Sequence, residues 1–226
     1  MRLLYRLAPA CGSRAQRVIV IIAATVLALA AHAAEPLITP QASRAPHSQV
    51  RIETDLGAID IELFDDQAPI TVHNFLAYVN EKFYDGTIFH RAVANYVVQG
   101  GAYTPDQKEK AAGAPIKNES VNGLKNIRGA VAMARGALPD SAQAQFFINL
   151  ADNIALDRIN RSSQACGYCV FGRVVAGMDV VDKLATVEKK NNAKLYTASN
   201  AEVAATDVPK TPIVIKSIRV LDDGKP

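Results

Sequence analysis

At 226 residues the chain is long enough for one compact domain, or at most two small ones. Hydrophobic residues make up 49% and charged residues 21%, the balance of a folded soluble protein rather than a disordered or fibrous one. The formal charge of +3 belongs to the leader: Arg2, Arg6, Arg14 and Arg17 lie before residue 34, where there is no Asp or Glu. Removing those four of the 25 basic residues leaves 21 against 22 acidic ones, which excludes the basic surface of a general nucleic-acid binder.

In chain order, the arginine-bearing start gives way to an apolar run from Val18 to Ala31, followed by Ala31-His32-Ala33 with small residues at the −3 and −1 positions of a cut. Residues 1–33 are therefore expected to be a secretory signal peptide. The apolar run is too short for a comfortable membrane span, so no stable membrane anchor is expected; an uncleaved anchor is the alternative. The mature chain is expected to be exported, to the periplasm if the source is bacterial, with a eukaryotic secretory lumen as the other destination. Residues 34–48 carry three prolines and no periodic apolar pattern, and read as a disordered tether.

Order is expected over 49–222, with 223–226 a short tail. Val50 and Ile52, then Ile59, Ile61 and Leu63, alternate with polar residues around Asp55-Leu56-Gly57, which predicts an antiparallel hairpin with one buried face. Pro69 opens a segment with Val72, Phe75, Leu76 and Val79 at helical spacing, and Gly86 lies beyond its end. A second short helix fits 177–185, with Val180, Val181 and Leu184 on one side. Strand-like runs cover 87–89, 96–99, 130–134, 145–149, 168–175 and 213–221. The stretch 186–211 is polar and patternless apart from a turn of helix at 200–205. It reads as a surface loop, with partner binding as the alternative. Many short strands with two helices predict a single β-rich domain, sheet or barrel.

Several common enzyme signatures are absent: no G-x-S-x-G, P-loop, G-x-G-x-x-G or H-E-x-x-H occurs. After the leader only His47, His73 and His90 remain, at spacings that suggest no metal site. His90 is expected to be a structural histidine rather than an acid-base group. Cys166-Gly167-Tyr168-Cys169 could suggest redox chemistry, but no thioredoxin-like βαβ pattern surrounds it. These two are the only cysteines of the mature chain. An intramolecular disulfide between them is expected, with Gly167 permitting the turn it requires, and Cys169 as a simple core residue is the alternative.

What stands out is an ordered set: Phe89-His90-Arg91, Tyr96-Val97-Val98-Gln99-Gly100-Gly101, Met133-Ala134-Arg135, Gln145-Phe146-Phe147-Ile148-Asn149 and Val170-Phe171-Gly172. In order and spacing it resembles the cyclophilin family, in particular its exported bacterial members, over nearly the whole mature chain. The resemblance implies a mainly β fold, a closed eight-stranded antiparallel β-barrel capped by two α-helices. It also implies peptidyl-prolyl isomerase activity in a groove on the outside of that barrel, with a lumen filled by side chains. Arg91 would be the catalytic side chain. Tyr96, Val97, Phe147 and Leu156 would line a proline pocket closed on one side by Tyr168. Gln99 would hold a substrate carbonyl and help orient Arg91, with Gln145 nearby. Ala134 and the backbone of Arg135 would meet the residues before the proline.

The chemistry asks for just such a residue as Arg91. Rotating an X-Pro bond breaks amide resonance, a barrier of about 18–20 kcal/mol. No bond is made or broken, so no metal or cofactor is needed; the site must bind the twisted amide better than either planar form. A rigid guanidinium can donate to the pyramidal prolyl nitrogen and to a neighbouring carbonyl. The expected partners are proline-containing unfolded or partly folded polypeptides, met by a monomer, without nucleic acid. A module that binds Pro-containing segments with little turnover is the competing function. It is motivated by departures from the family's usual residues at Tyr96, Val97, Arg135, Tyr168 and Ala155, where Ala155 replaces the family's large aromatic.

Overall fold

The computed structural model describes residues 47–160, 162 and 165–221. The expected signal peptide, all of the tether before residue 47, Asp222 and the expected tail 223–226 lie outside them. His47 and Ser48, placed in the tether by their sequence, are docked instead: Ser48 O accepts from Leu63 N–H at 2.8 Å, and Ser48 N–H donates to Asp65 at 2.9 Å.

The first two strands, β1 (Gln49–Thr54) and β2 (Gly57–Leu63), form the expected hairpin, pairing from Gln49↔Glu62 to Thr54↔Gly57. Val50, Ile52, Ile59, Ile61 and Leu63 face inward and are fully buried, as the period-two pattern requires. Helix α1 (Pro69–Asn80) follows, with Pro in its first turn. Its open backbone donors are met from far along the chain. Glu119 accepts from Ile70 N–H at 3.2 Å and from Thr71 N–H at 2.8 Å, an anion at the positive end of the helix.

Strands β3 (Ile88–Val93), β4 (Val97–Gly100), β5 (Ala130–Met133), β6 (Phe146–Asn149) and β7 (Val170–Ala176) come next. Helix α2 (Met178–Thr186) starts just after Gly177, which has φ +83° and sits where a Cβ would strike the Ala58 carbonyl. The last strand, β12 (Ile213–Leu221), pairs with β1 along most of its length and with β3 at its start. The order β1-β12-β3-β4-β6-β5-β7-β2 closes on itself as an eight-stranded antiparallel barrel.

The lumen is aromatic. Phe75 from α1 lies 5.2 Å from Tyr84, 5.6 Å from Phe146 and 5.2 Å from Phe171 between ring centroids. The apolar faces of both helices (Val72, Val79, Val180, Val181 and Leu184) join the same core, which is how two helices come to cap one barrel.

The stretch 186–211 departs from the expected loop. It forms β8 (Lys189–Lys190), β9 (Ala193–Tyr196), β10 (Glu202–Ala205) and β11 (Val208–Pro209), with β9 paired to β10 and β8 to β11. The expected helical turn at 200–205 is thus mostly strand. Only Ala193 and Leu195 of the β9–β10 hairpin are buried, too few apolar positions to show as a pattern. Among the described residues, no helix is long and apolar enough to cross a membrane.

Candidate active site

A bulge positions the key side chain. Between β3 and β4 the register runs Phe89↔Gly100 and then Arg91↔Gln99, so the strand carries one extra residue. Phe89 and Ala92 point into the lumen, while His90 and Arg91, consecutive residues, both reach the outer face and line one cavity there. From Arg91 a row of cross-strand partners runs around the barrel: Gln99, Phe147, Ala132 and Val170. Val97, Phe147, Leu156 and Val170 belong to an apolar cluster separate from the lumen.

On this row lies a groove of about 90 Å3. Phe147, Val97 and Leu156 form its apolar floor, Tyr96 and Tyr168 its sides, and Arg91, Gln99 and Arg135 its polar rim, with Ala134 beside them. Nine of the ten residues expected at the site meet there. Gln145 stands one step behind, accepting from Gln99 Nε2 at 3.0 Å and donating to Glu109 Oε1 at 3.1 Å. Glu109 ends this relay and was not foreseen. It sits in a polar loop with no pattern around it, and no sequence signal marks it.

Arg91 differs from the other arginines of the barrel. Arg51, Arg128, Arg173 and Arg219 each face a carboxylate within 3 Å. Among the described residues Arg91 has no ion pair; its guanidinium carbon lies 5.8 Å from the Tyr96 ring centre. Its donors are left for a ligand. Arg135 is tied down instead, 4.8 Å over the Tyr168 ring and donating to Gly167 O at 3.0 Å. Phe147 meets Tyr168 edge-on at 5.4 Å.

A buried asparagine set holds the groove from beneath. Asn153 donates to Tyr96 O at 2.9 Å and to Asn149 Oδ1 at 2.8 Å, and Asn126 donates to Leu156 O at 3.1 Å. Tyr168 N–H donates to Leu156 O at 3.0 Å, joining two walls. These polar positions were also missed, because their side chains' partners lie 19 or more residues away except within the Asn149–Asn153 pair.

His90 is 5% exposed beside the Tyr103 ring. Burial first, and the neighbouring Arg91 charge second, push its pKa down to about 3, so it is neutral near pH 7 and unsuited to proton transfer there. Ala155 lies exposed on the short 3₁₀ turn Ile154–Leu156, beside Leu156 but not among the lining residues.

The expected disulfide is not formed: Cys166 and Cys169 are both buried thiols. Each thiol has its own neighbours, Asn118 and Gly167 O for Cys166, and Thr71 for Cys169 at 3.4 Å. Burial raises the Cys169 thiol to about 11, which removes it as a nucleophile at neutral pH.

The chain is similar to known proteins over most of its length. The family described as "Cyclophilin type peptidyl-prolyl cis-trans isomerase/CLD" matches residues 49–220. Peptidyl-prolyl cis-trans isomerase B of Escherichia coli (strain K12) is 49% identical over 171 residues, 76% of this chain and 98% of that protein. Peptidyl-prolyl cis-trans isomerase A of Dickeya dadantii is 43% identical over 201 residues, 89% of this chain and 97% of that one. Among solved structures, a cyclophilin-type isomerase of Cryptosporidium parvum shares the fold with a TM-score of 0.62 at 24% identity, over 79% of this chain and 99% of that one. A barrel with its groove on the outside, a match spanning 49–220 and relatives near half identity agree: the chain belongs to the cyclophilin-type peptidyl-prolyl cis-trans isomerases.

Proposed function

We propose that the enzyme speeds X-Pro rotation by donating a hydrogen bond from Arg91 to the prolyl nitrogen as the amide twists, with the proline ring on Phe147, Val97 and Leu156. The observation that carries this reading is the unpaired guanidinium at the rim of an apolar groove. In the planar amide the nitrogen lone pair is delocalised and accepts poorly. In the twisted amide it is localised, so the bond strengthens only on the way to the transition state, the condition for raising turnover rather than affinity alone. Gln99, held by Gln145, keeps a carbonyl and a second N–H for the substrate backbone.

Arg91→Ala is expected to lose about 10²–10³-fold in kcat/KM on an X-Pro peptide. Arg91→Lys should recover little of it, since an ammonium lacks the planar fork. Unchanged rates in either variant overturn the mechanism, and tight peptide binding without wild-type turnover would favour the binding-module reading.

The substrates are proposed to be exported polypeptides, and the protein to act as a monomer in the compartment to which the leader directs it, the periplasm in a bacterium. The support is the three-part pattern of residues 1–33. N-terminal sequencing of the protein from its native source should begin at Ala34; a retained residue 1 or 2 would refute the cleavage.

A further inference from the structure

Arg91 and Gln99 line a second cavity, of about 310 Å3, beside the proline groove. One wall is the outer face of the barrel, with His90 and Tyr103; the other is the β9–β10 hairpin, with Leu195, Ala204 and Thr206 just beyond the strand. The hairpin is firmly seated. Tyr196 N–H donates to Gln107 O at 2.9 Å, its carbonyl accepts from Glu109 N–H at 2.8 Å, and Ala92 N–H donates to Asp207 O at 2.9 Å. Its turn is also bound to the relay behind Gln99, because Ala198 N–H donates to Glu109 Oε2 at 3.3 Å while Oε1 receives Gln145. Among the described residues, His90 Nδ1 is the one buried side-chain nitrogen or oxygen without a hydrogen-bond partner, and His90 is part of this wall.

We propose that this cavity is a substrate subsite, taking a neutral side chain of leucine to tyrosine size from one of the first two residues after the proline. The proposal rests on the reading that Arg91 handles the X-Pro bond. If, as the resemblance implies, the residues before the proline lie at Ala134 and Arg135, the chain leaving the proline passes Arg91 and meets the hairpin wall. One or two residues reach about 3.3–3.6 Å each, enough to bring a side chain to the adjoining cavity. Tyr103, Leu195 and Ala204 offer it apolar contact. The Arg91 charge at the mouth disfavours Lys or Arg there, and His90, held neutral, adds no charge of its own. A hairpin that sequence patterning reads as a loop thereby acquires a task in substrate choice.

The test compares peptides lengthened on one side only. Relative to a peptide with alanines after the proline, Leu or Tyr at either of the two following positions should raise kcat/KM by about tenfold at one of them, and Lys should not. Ala204→Trp and Thr206→Trp, both at exposed positions, fill the cavity. Each should abolish that gain while changing turnover of the alanine peptide, and the gain from residues added before the proline, by less than about twofold. The subsite is overturned if the wild type shows no gain, if both variants keep it, or if both lose the alanine-peptide turnover as well. Should the wild type turn over no peptide, the same series read as dissociation constants decides the subsite, and only the Arg91 mechanism falls.

Discussion

Phe146 and Phe147 are neighbours on β6, yet one belongs to the lumen and the other to the groove. Phe146 is fully buried, with Phe75, Tyr84 and Phe89 within 6.2 Å between ring centres. Even the backbone yields to it: a Cβ on Gly101 would lie 2.9 Å from its ring. Phe147 is also buried, at 4% exposed, but it lines the groove, and among the described residues its one aromatic neighbour is Tyr168. Inside, every position is settled by volume, and the Tyr84 hydroxyl is satisfied on Ala144 O at 2.9 Å. Outside, the strands already have their stability from the lumen and are free to present groups that packing would never choose, such as an unpaired guanidinium. One strand can thus hold the fold together with alternate residues and do chemistry with the rest.

The sharpest way to break this division is to truncate both rings. Phe146→Ala should lose about 3–5 kcal/mol of stability, since the closed lumen cannot collapse around the void. Phe147→Ala should lose visibly less, yet raise KM for X-Pro peptides. Denaturant melts and peptide kinetics on the two variants test this, and equal destabilisation would show that the groove carries the fold as much as the lumen does.

His90 allows a finer test, because it sits beside Arg91 but is buried like a lumen residue. Its folded pKa of about 3 lies below the ordinary 6.5 of an unfolded chain. Below pH 6.5 the unfolded chain takes up a proton that the folded chain refuses. Stability should therefore decline as pH falls from about 6.5 toward 3, approaching about 1.4 kcal/mol per unit. Asp60 and Asp85, whose pKa values are lowered by Arg51 and Arg219, act only further down, in the carboxylate range. A His90→Gln variant should flatten the slope between pH 6 and 4.5. Turnover should stay nearly level from pH 6 to 8, and a rise centred near about 6.5 would instead make His90 a proton carrier.

The smallest effect concerns the edge of the groove. Ala155, exposed beside Leu156, offers no bulk where the family carries a large aromatic, so the cyclic peptide cyclosporin should bind weakly. Ala155→Trp should gain about tenfold in affinity, one Trp contact at a rim. The chain has no other tryptophan, so indole fluorescence follows the binding directly. No gain would mean that position 155 does not border the bound ligand.

The sequence reads clearly where periodicity runs long enough against one buried face. Ile59, Ile61 and Leu63 announce a strand, and Val72, Phe75 and Val79 a helix. Seven of the nine groove residues were legible because they travel in ordered motifs around Arg91, whereas Leu156 and Tyr168 lie outside those motifs and were expected only from the family resemblance. Gln145 was named too, but its place one step behind Gln99 depends on how side chains meet, which no spacing encodes. Glu119 capping α1 and Glu109 ending the relay are carboxylates whose partners lie 36 or more residues away. The β9–β10 hairpin was hidden because two buried side chains in a polar stretch make no period. The cysteine pair misled for a similar reason: a two-residue gap permits a bridge, but each thiol is placed by different neighbours.

The closure of the barrel has one more effect. A partly folded chain is rich in unpaired strands, and an open sheet edge would invite them to add on by backbone hydrogen bonds, whatever their sequence. Here all eight barrel strands have neighbours on both sides, so the barrel gives a visiting chain no rim to extend. Contact is left to the groove and its rim, away from any strand edge of the barrel. If the proposed substrates are partly folded chains, the closed barrel itself would not serve as a template for them.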